Sequence, residues 1–288
     1  MIEAMKEMNW VVKEQESTIT LKEMYEVPFF TYEHLENTGM VVHGFSTRMG
    51  GVSAGDCATM NLSFERGDLE DAVRTNYELL GAAMGFQTNS LVFSKQTHTT
   101  NVRVVTEEDR GKGFVSERDY TDVDGLITNV PGLTLATFYA DCVPLFFVDP
   151  VHKAIGLSHS GWKGTVGKIG KVTVEKMTEQ YGTDPKDVLA AIGPSICQSC
   201  YEVSEDVIVE FQNNFDEKYW KELYYRKENG KYQLNLWKAN EIVLAEAGIL
   251  KEHIAVTNLC TCCNSEVLFS HRASNGKRGN LAAFMALK

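Results

Sequence analysis

The stretch that most constrains this chain runs from Ala140 to Trp162, ADCVPLFFVDPVHKAIGLSHSGW. Two apolar runs, 143–148 and 154–157, flank Asp149-Pro150. Runs of that length bounded by turn residues read as buried strands, and so short a connection pairs them as an antiparallel hairpin. A four-residue turn from Asp149 to His152 sets those two residues facing each other and, further along the hairpin, Cys142 opposite His159. Facing Cβ atoms lie about 4.5–5.5 Å apart. A thiol and an imidazole at that spacing suit a shared metal ion or a thiolate–imidazole nucleophile. Either puts the active centre at the open end of the hairpin.

With 288 residues and 43% apolar content, the chain can bury a core as one large domain or two small ones. A formal charge of −11 excludes broad binding to nucleic-acid phosphates. No apolar run approaches the roughly 20 residues of a membrane span, and Met1 to Glu16 has no signal-peptide core. The expectation is a cytoplasmic protein with an N-terminal extension or edge strand over 1–20 and one catalytic domain over 21–288. No oligomeric state is implied. Seven cysteines, an odd number in a chain with a good core, point to reduced thiols rather than a disulfide scaffold.

Strands are expected at 18–25, 29–32, 40–45, 91–93, 102–105, 133–139, 188–192, 232–234 and 254–257 from β-branched and aromatic content. Asp68 can cap a helix to Met84 that Gly85 ends, Gly161–Thr165 opens one to Tyr181, and Trp237 to Ala247 forms another. Residues 107–122 read as an exposed loop and Asp122–Gly125 as a turn. Strands and helices mix without a βαβ rhythm. The fold class is therefore α+β, a single domain with mixed or antiparallel sheets flanked by helices.

His98, in Lys95-Gln-Thr-His98, also follows a strand, and a surface histidine is the bland alternative. If it joins Cys142 and His159, three protein ligands leave one tetrahedral position open, as in catalytic zinc sites. Asp141 is then a neighbour that orients ligands or carries a proton. Lys163 at the Gly161–Thr165 helix start, Arg48 beside Gly50-Gly51, and Arg272 are candidate anion contacts, although tight turn packing explains those glycines equally well. Cys197-x-x-Cys200 with Cys260-Thr-Cys262-Cys263 offers a rival four-cysteine site, as a CxxC plus a CxC. The long interval is irregular for a zinc ribbon, so loop or buried thiols are the simpler expectation.

In chain order, His43-Gly-Phe-Ser-Thr-Arg48-Met-Gly-Gly-Val-Ser53, Lys95-Gln-Thr-His98, Asp122-Val-Asp-Gly125, Ala140-Asp-Cys142-Val-Pro144, His159-Ser-Gly-Trp-Lys-Gly164, Gly193-Pro194 and Phe269-Ser-His-Arg272 resemble the YfiH-like, laccase-domain purine nucleoside phosphorylases. The resemblance covers about residue 30 to the C-terminus. It implies a metal held by His98, Cys142 and His159, with zinc expected and copper the alternative. It also implies phosphorolysis of adenosine, inosine and 5′-methylthioadenosine, with adenosine deamination as a second activity. The small-molecule partners are then nucleosides and phosphate, with Arg48, Lys163 and Arg272 as phosphate or ribose contacts. The family often has Arg where Lys163 stands, and Lys keeps the charge but loses bidentate geometry. Competing readings are a copper-dependent polyphenol oxidase and a metal-free hydrolase or transferase with Cys142 as nucleophile. The seven histidines, with no His-x-His pair, are few for an oxygen-reducing copper cluster.

Overall fold

The computed structural model describes Asn9 and residues 19–288. Residues 1–8 and 10–18, most of the expected extension, lie outside the described residues. Ile19–Met24 is the edge strand of a sheet, so strand pairing starts two residues ahead of the expected domain boundary.

Two six-stranded sheets form the centre of this α+β fold. The first runs, in spatial order, Ile19–Met24, Val27–Tyr32, Val41–Ser46, Leu281–Leu287, Thr134–Tyr139 and Leu91–Phe93. The second runs Ile254–Val256, Leu189–Ile192, Val143–Asp149, Ala154–Ser160, Gly125–Thr128 and Val102–Val104. Pairing is antiparallel except at Leu91–Phe93, Val102–Val104 and Ile254–Val256, which run parallel to their neighbours. A small three-stranded sheet joins Glu202–Val203, Tyr232–Leu234 and Tyr224–Arg226.

Alternation along the strands explains the layers. Phe146 and Val148 face an inter-sheet core with Leu157, Phe45, Tyr139 and Met285. Val143, Leu145 and Phe147 point the other way, onto helices Ile169–Tyr181 and Leu236–Glu246. Across the molecule, Phe284 and Ala136 meet Val73, Tyr77 and Leu80 of helix Glu70–Met84. Strands covered on both faces read as unbroken apolar runs. Each large side chain so buried contributes about 1.5–3 kcal/mol.

The central hairpin forms, but its register differs from the expected one by two residues. Asp149 pairs with Ala154, and Pro144, not Cys142, lies opposite His159. The cause is the turn. The buried Asp149 carboxylate accepts from the backbone N–H groups of Val151 and His152 at 2.9 and 3.0 Å and from the His152 ring at 2.9 Å, and Lys153 adopts φ 52°. Residues 150–153 therefore make the tip. A two-residue offset preserves the strand period, so Cys142 and His159 still share the inter-sheet face.

The single helix expected over 161–181 is broken into Trp162–Val166 and Ile169–Tyr181 by Lys168 at φ 59°. Asp68 does not cap helix Glu70–Met84, whose N-cap is Leu69; its carboxylate instead accepts from the Leu69 N–H and the Asn61 amide. The 107–122 loop is not wholly exposed. Asp109 is buried between Arg103 and Lys112, the Tyr120 hydroxyl donates to the Phe93 carbonyl, and Arg118 donates to the Ser94 carbonyl.

Candidate active site

Three segments converge at one end of the inter-sheet face. His98 comes from the loop after Leu91–Phe93, Cys142 immediately precedes Val143–Asp149, and His159 lies near the end of Ala154–Ser160. One donor atom of each lies within 4.8 Å of the other two. Cys142 Sγ is 3.9 Å from His98 Nε2. The two imidazoles meet edge to face, 4.9 Å apart at 80°. His159 is buried, Cys142 half-buried and His98 exposed, so the group opens from core to solvent.

The organiser of this group is Asp124, which is wholly buried. Its carboxylate accepts from the backbone N–H groups of Thr97, His98 and Thr99 at 3.0, 3.1 and 3.0 Å, from the Thr99 hydroxyl at 3.1 Å, and from His159 Nδ1 at 2.8 Å. The last bond keeps a proton on His159 Nδ1, so a bound metal ion would take the place of the proton on Nε2. Burial raises the Asp124 pKa, but the His159 hydrogen bond and charge outweigh it, and the carboxyl stays below its ordinary range.

Backbone geometry brings the other two donors in. His98 and Asp141 adopt φ 66° and 88°, the left-handed region that non-glycine residues seldom occupy. Gly161 has no room for a side chain: a Cβ there would lie 2.7 Å from the His98 ring and 3.2 Å from Cys142 Sγ.

Cys142 and His159 polarise each other. Burial raises the thiol, but the charged His159, then hydrogen bonds from both histidines, pull it down to about 6. Burial lowers the imidazole, but the Cys142 thiolate and Asp124 raise it to about 9. The sulfur is thus prepared as a thiolate, the form that ligates metals. One thiolate and two imidazoles, one with its tautomer fixed, fit a zinc or copper ion with three protein ligands.

These donors line a cavity of about 430 Å³. Its walls include Phe138, Tyr201, Arg66, Arg272 and Arg278. A second hollow of about 300 Å³, which shares His98, Asp141 and Cys142 with the first, is lined by Lys163 and Trp162.

Of the sequence-predicted residues, His98, Cys142, His159, Asp141 and Arg272 line the main cavity. Both Asp141 oxygens are engaged, Oδ1 by the Thr261 hydroxyl and Oδ2 by the Arg272 backbone N–H, each at 2.7 Å. Arg272 donates to the carbonyls of Glu202 at 2.9 Å and Cys200 at 3.4 Å. Arg48 is not brought to the cavity. It donates to the carbonyls of Ala58 and Ser265 and covers the Phe269 ring at 4.5 Å. The adjacent Gly51 serves packing, since a Cβ there would lie 2.3 Å from the Thr59 carbonyl. Sequence reasoning assigned no role to Asp124, Arg66 or Arg278. Only the Asp122–Gly125 motif hinted at the first.

A family model for multi-copper polyphenol oxidoreductase laccase matches residues 42–288. Purine nucleoside phosphorylase YlmD of Bacillus subtilis (strain 168) is 36% identical over 266 residues, covering 88% of this chain and 91% of the relative. A purine nucleoside phosphorylase of Bacteroides thetaiotaomicron is 35% identical over 253 residues, covering 87% and 93%. Among solved structures, YlmD from Geobacillus stearothermophilus is similar with a TM-score of 0.85 at 32% identity, over 93% of this chain and 98% of that one. YfiH of Bacillus licheniformis gives 0.87 at 33%, over 93% and 99%. On that match the chain belongs to the multi-copper polyphenol oxidoreductase laccase family.

Proposed function

We propose that the protein is a metal-dependent purine nucleoside phosphorylase, acting on adenosine, inosine and 5′-methylthioadenosine and deaminating adenosine as a second activity. The observation that carries this reading is that the metal-donor trio and a set of guanidinium groups line the same cavity. Its volume lies in the range of small-molecule sites.

In phosphorolysis a phosphate oxygen bonds to C1′ of the ribose while the bond from C1′ to the purine nitrogen breaks. The electron pair stays on the purine, which takes up a proton, and ribose 1-phosphate leaves. Arg66 and Arg278 suit the phosphate. Both donate to Asn280 Oδ1, Arg66 at 3.2 Å, and Arg278 Nε is buried with no hydrogen-bond partner. Burial and the neighbouring Arg66 lower the Arg278 guanidinium to about 10, so it stays charged at neutral pH. An anion between the two would satisfy both. The rings of Phe138 and Tyr201 provide flat apolar surface for the purine. Asp141 holds the Arg272 backbone and so positions its guanidinium over Tyr201, 5.5 Å from the ring. His98, Cys142 and His159 would hold the metal ion, which would supply Lewis-acid stabilisation of negative charge on the reactants.

The copper-oxidase reading is weaker. Among the described residues, the candidate metal groups are this trio and an all-cysteine cluster, so an oxygen-reducing centre would lack histidine ligands. The test is incubation with inosine and phosphate. Hypoxanthine and ribose 1-phosphate in equal amounts, suppressed by a chelator, are expected. No product with any of zinc, copper or manganese supplied would refute the assignment. Ammonia from adenosine reports the second activity.

A further inference from the structure

Four sulfurs, those of Cys197, Cys200, Cys260 and Cys263, gather outside the cavity, all within 4.8 Å of one another. We propose that they bind one Zn²⁺ as a closed, four-thiolate structural site, separate from the His98–Cys142–His159 centre and independent of the phosphorylase reading.

The spacing is that of a tetrahedral metal site. Zinc–sulfur bonds of about 2.3 Å imply sulfur–sulfur edges of about 3.8 Å. Cys263 Sγ lies 3.5 Å from Cys200 Sγ and 4.0 Å from Cys197 Sγ. A disulfide needs about 2.05 Å, and all these cysteines are free. The ligands come as two C-x-x-C turns, 197–200 and 260–263, so Cys263, not the expected Cys262, completes the second pair. The backbone N–H groups of Cys197 and Cys263 donate to Cys260 Sγ at 3.2 and 3.4 Å, which holds that sulfur in place between the two turns. Both turns are framed by the same backbone. Ser195 bridges Cys260, and the Thr261 N–H donates to the Ser195 carbonyl at 3.2 Å. Simple core thiols do not explain the cluster, because Cys200 is half-buried and Cys263 exposed.

Four protein ligands leave no open position, so the ion is structural rather than catalytic. Its place gives it a purpose. Thr261, between two of the ligands, holds Asp141 Oδ1, and the Cys200 carbonyl accepts from Arg272. The ion would clip together two turns that set one wall of the cavity.

The experiment is zinc content per chain, measured on intact protein purified anaerobically with reductant. Wild type, Cys200→Ser/Cys263→Ser, Cys262→Ser and Cys142→Ser are compared. The expected result is that the double variant loses one equivalent of zinc while Cys262→Ser keeps it. Cobalt loaded into wild type should give thiolate charge-transfer absorption several-fold stronger than cobalt in the Cys142 centre alone can give. That readout stands even if the double variant fails to fold. Unchanged zinc in the double variant, or a Cys200–Cys263 disulfide in the reduced wild type, would overturn the proposal. Zinc lost only on Cys142→Ser defeats this site and spares the cavity centre. Zinc lost only on the double variant upholds this site and removes the metal from the cavity.

Discussion

Asp124 and His159 are joined twice, by a 2.8 Å hydrogen bond from His159 Nδ1 to the carboxylate and by a 2.7 Å bond from the His159 N–H to the Asp124 carbonyl. The same carboxylate gathers the 97–99 turn that carries His98. One buried side chain thus orients the His159 imidazole and fixes the backbone turn that carries His98. Asp124→Asn should keep the fold and weaken metal binding about 10–100-fold, the usual cost of removing a partner that orients a ligand. Competition with a chromophoric chelator measures it, and unaltered affinity would remove Asp124 from the account.

Gly161 is required by space rather than by backbone conformation, given the 2.7 Å approach to the His98 ring. Gly161→Ala should push His98 aside, lowering turnover and metal affinity together while leaving thermal stability within a few degrees of wild type. Steady-state kinetics alongside metal titration checks this pairing.

Arg278→Met tests the phosphate assignment. A charged hydrogen bond is worth about 1.5–3 kcal/mol, so KM for phosphate should rise by about one to two orders of magnitude, with KM for inosine little changed. An equal rise in both would place Arg278 elsewhere in the reaction.

Asp149 gives a pH-dependent prediction away from the cavity. Burial alone would raise its pKa, but the hydrogen bonds it accepts, including those from the His152 backbone and ring, hold it below the ordinary value. A depressed folded-state pKa adds stability above the unfolded value of about 3.9, and that stability is lost as pH falls through the folded value. Asp149→Asn should be less stable than wild type by about 1.5–3 kcal/mol at pH 7, with the gap narrowing at acid pH below about 3.9. Urea unfolding at both pH values reads the difference.

The hairpin was legible because both of its faces are buried, which leaves unbroken apolar runs around an Asp-Pro turn. Its register was not, because the Asp149 side chain bonds lie in no hydrophobic pattern. The strand Leu281–Leu287, LAAFMAL, went unread although it pairs with Val41–Ser46 and Thr134–Tyr139 in the middle of the first sheet. Its Ala, Leu and Met favour helix, and tertiary pairing overrides that preference. His98, Cys142 and His159 stood out as ligand types at strand ends. Asp124 did not, because Asp-Val-Asp-Gly signals a turn. At Arg48 the sequence left two readings of the neighbouring glycines open, and the close backbone approach at Gly51 is the one the packing explains.

Anomalous diffraction from crystals of the purified protein, collected across the zinc and copper absorption edges, bears most directly on the metal centre. The account predicts a peak within bonding distance of Cys142 Sγ and of one ring nitrogen each from His98 and His159. Crystals of protein fully active in phosphorolysis that show no metal peak among those three atoms would contradict it.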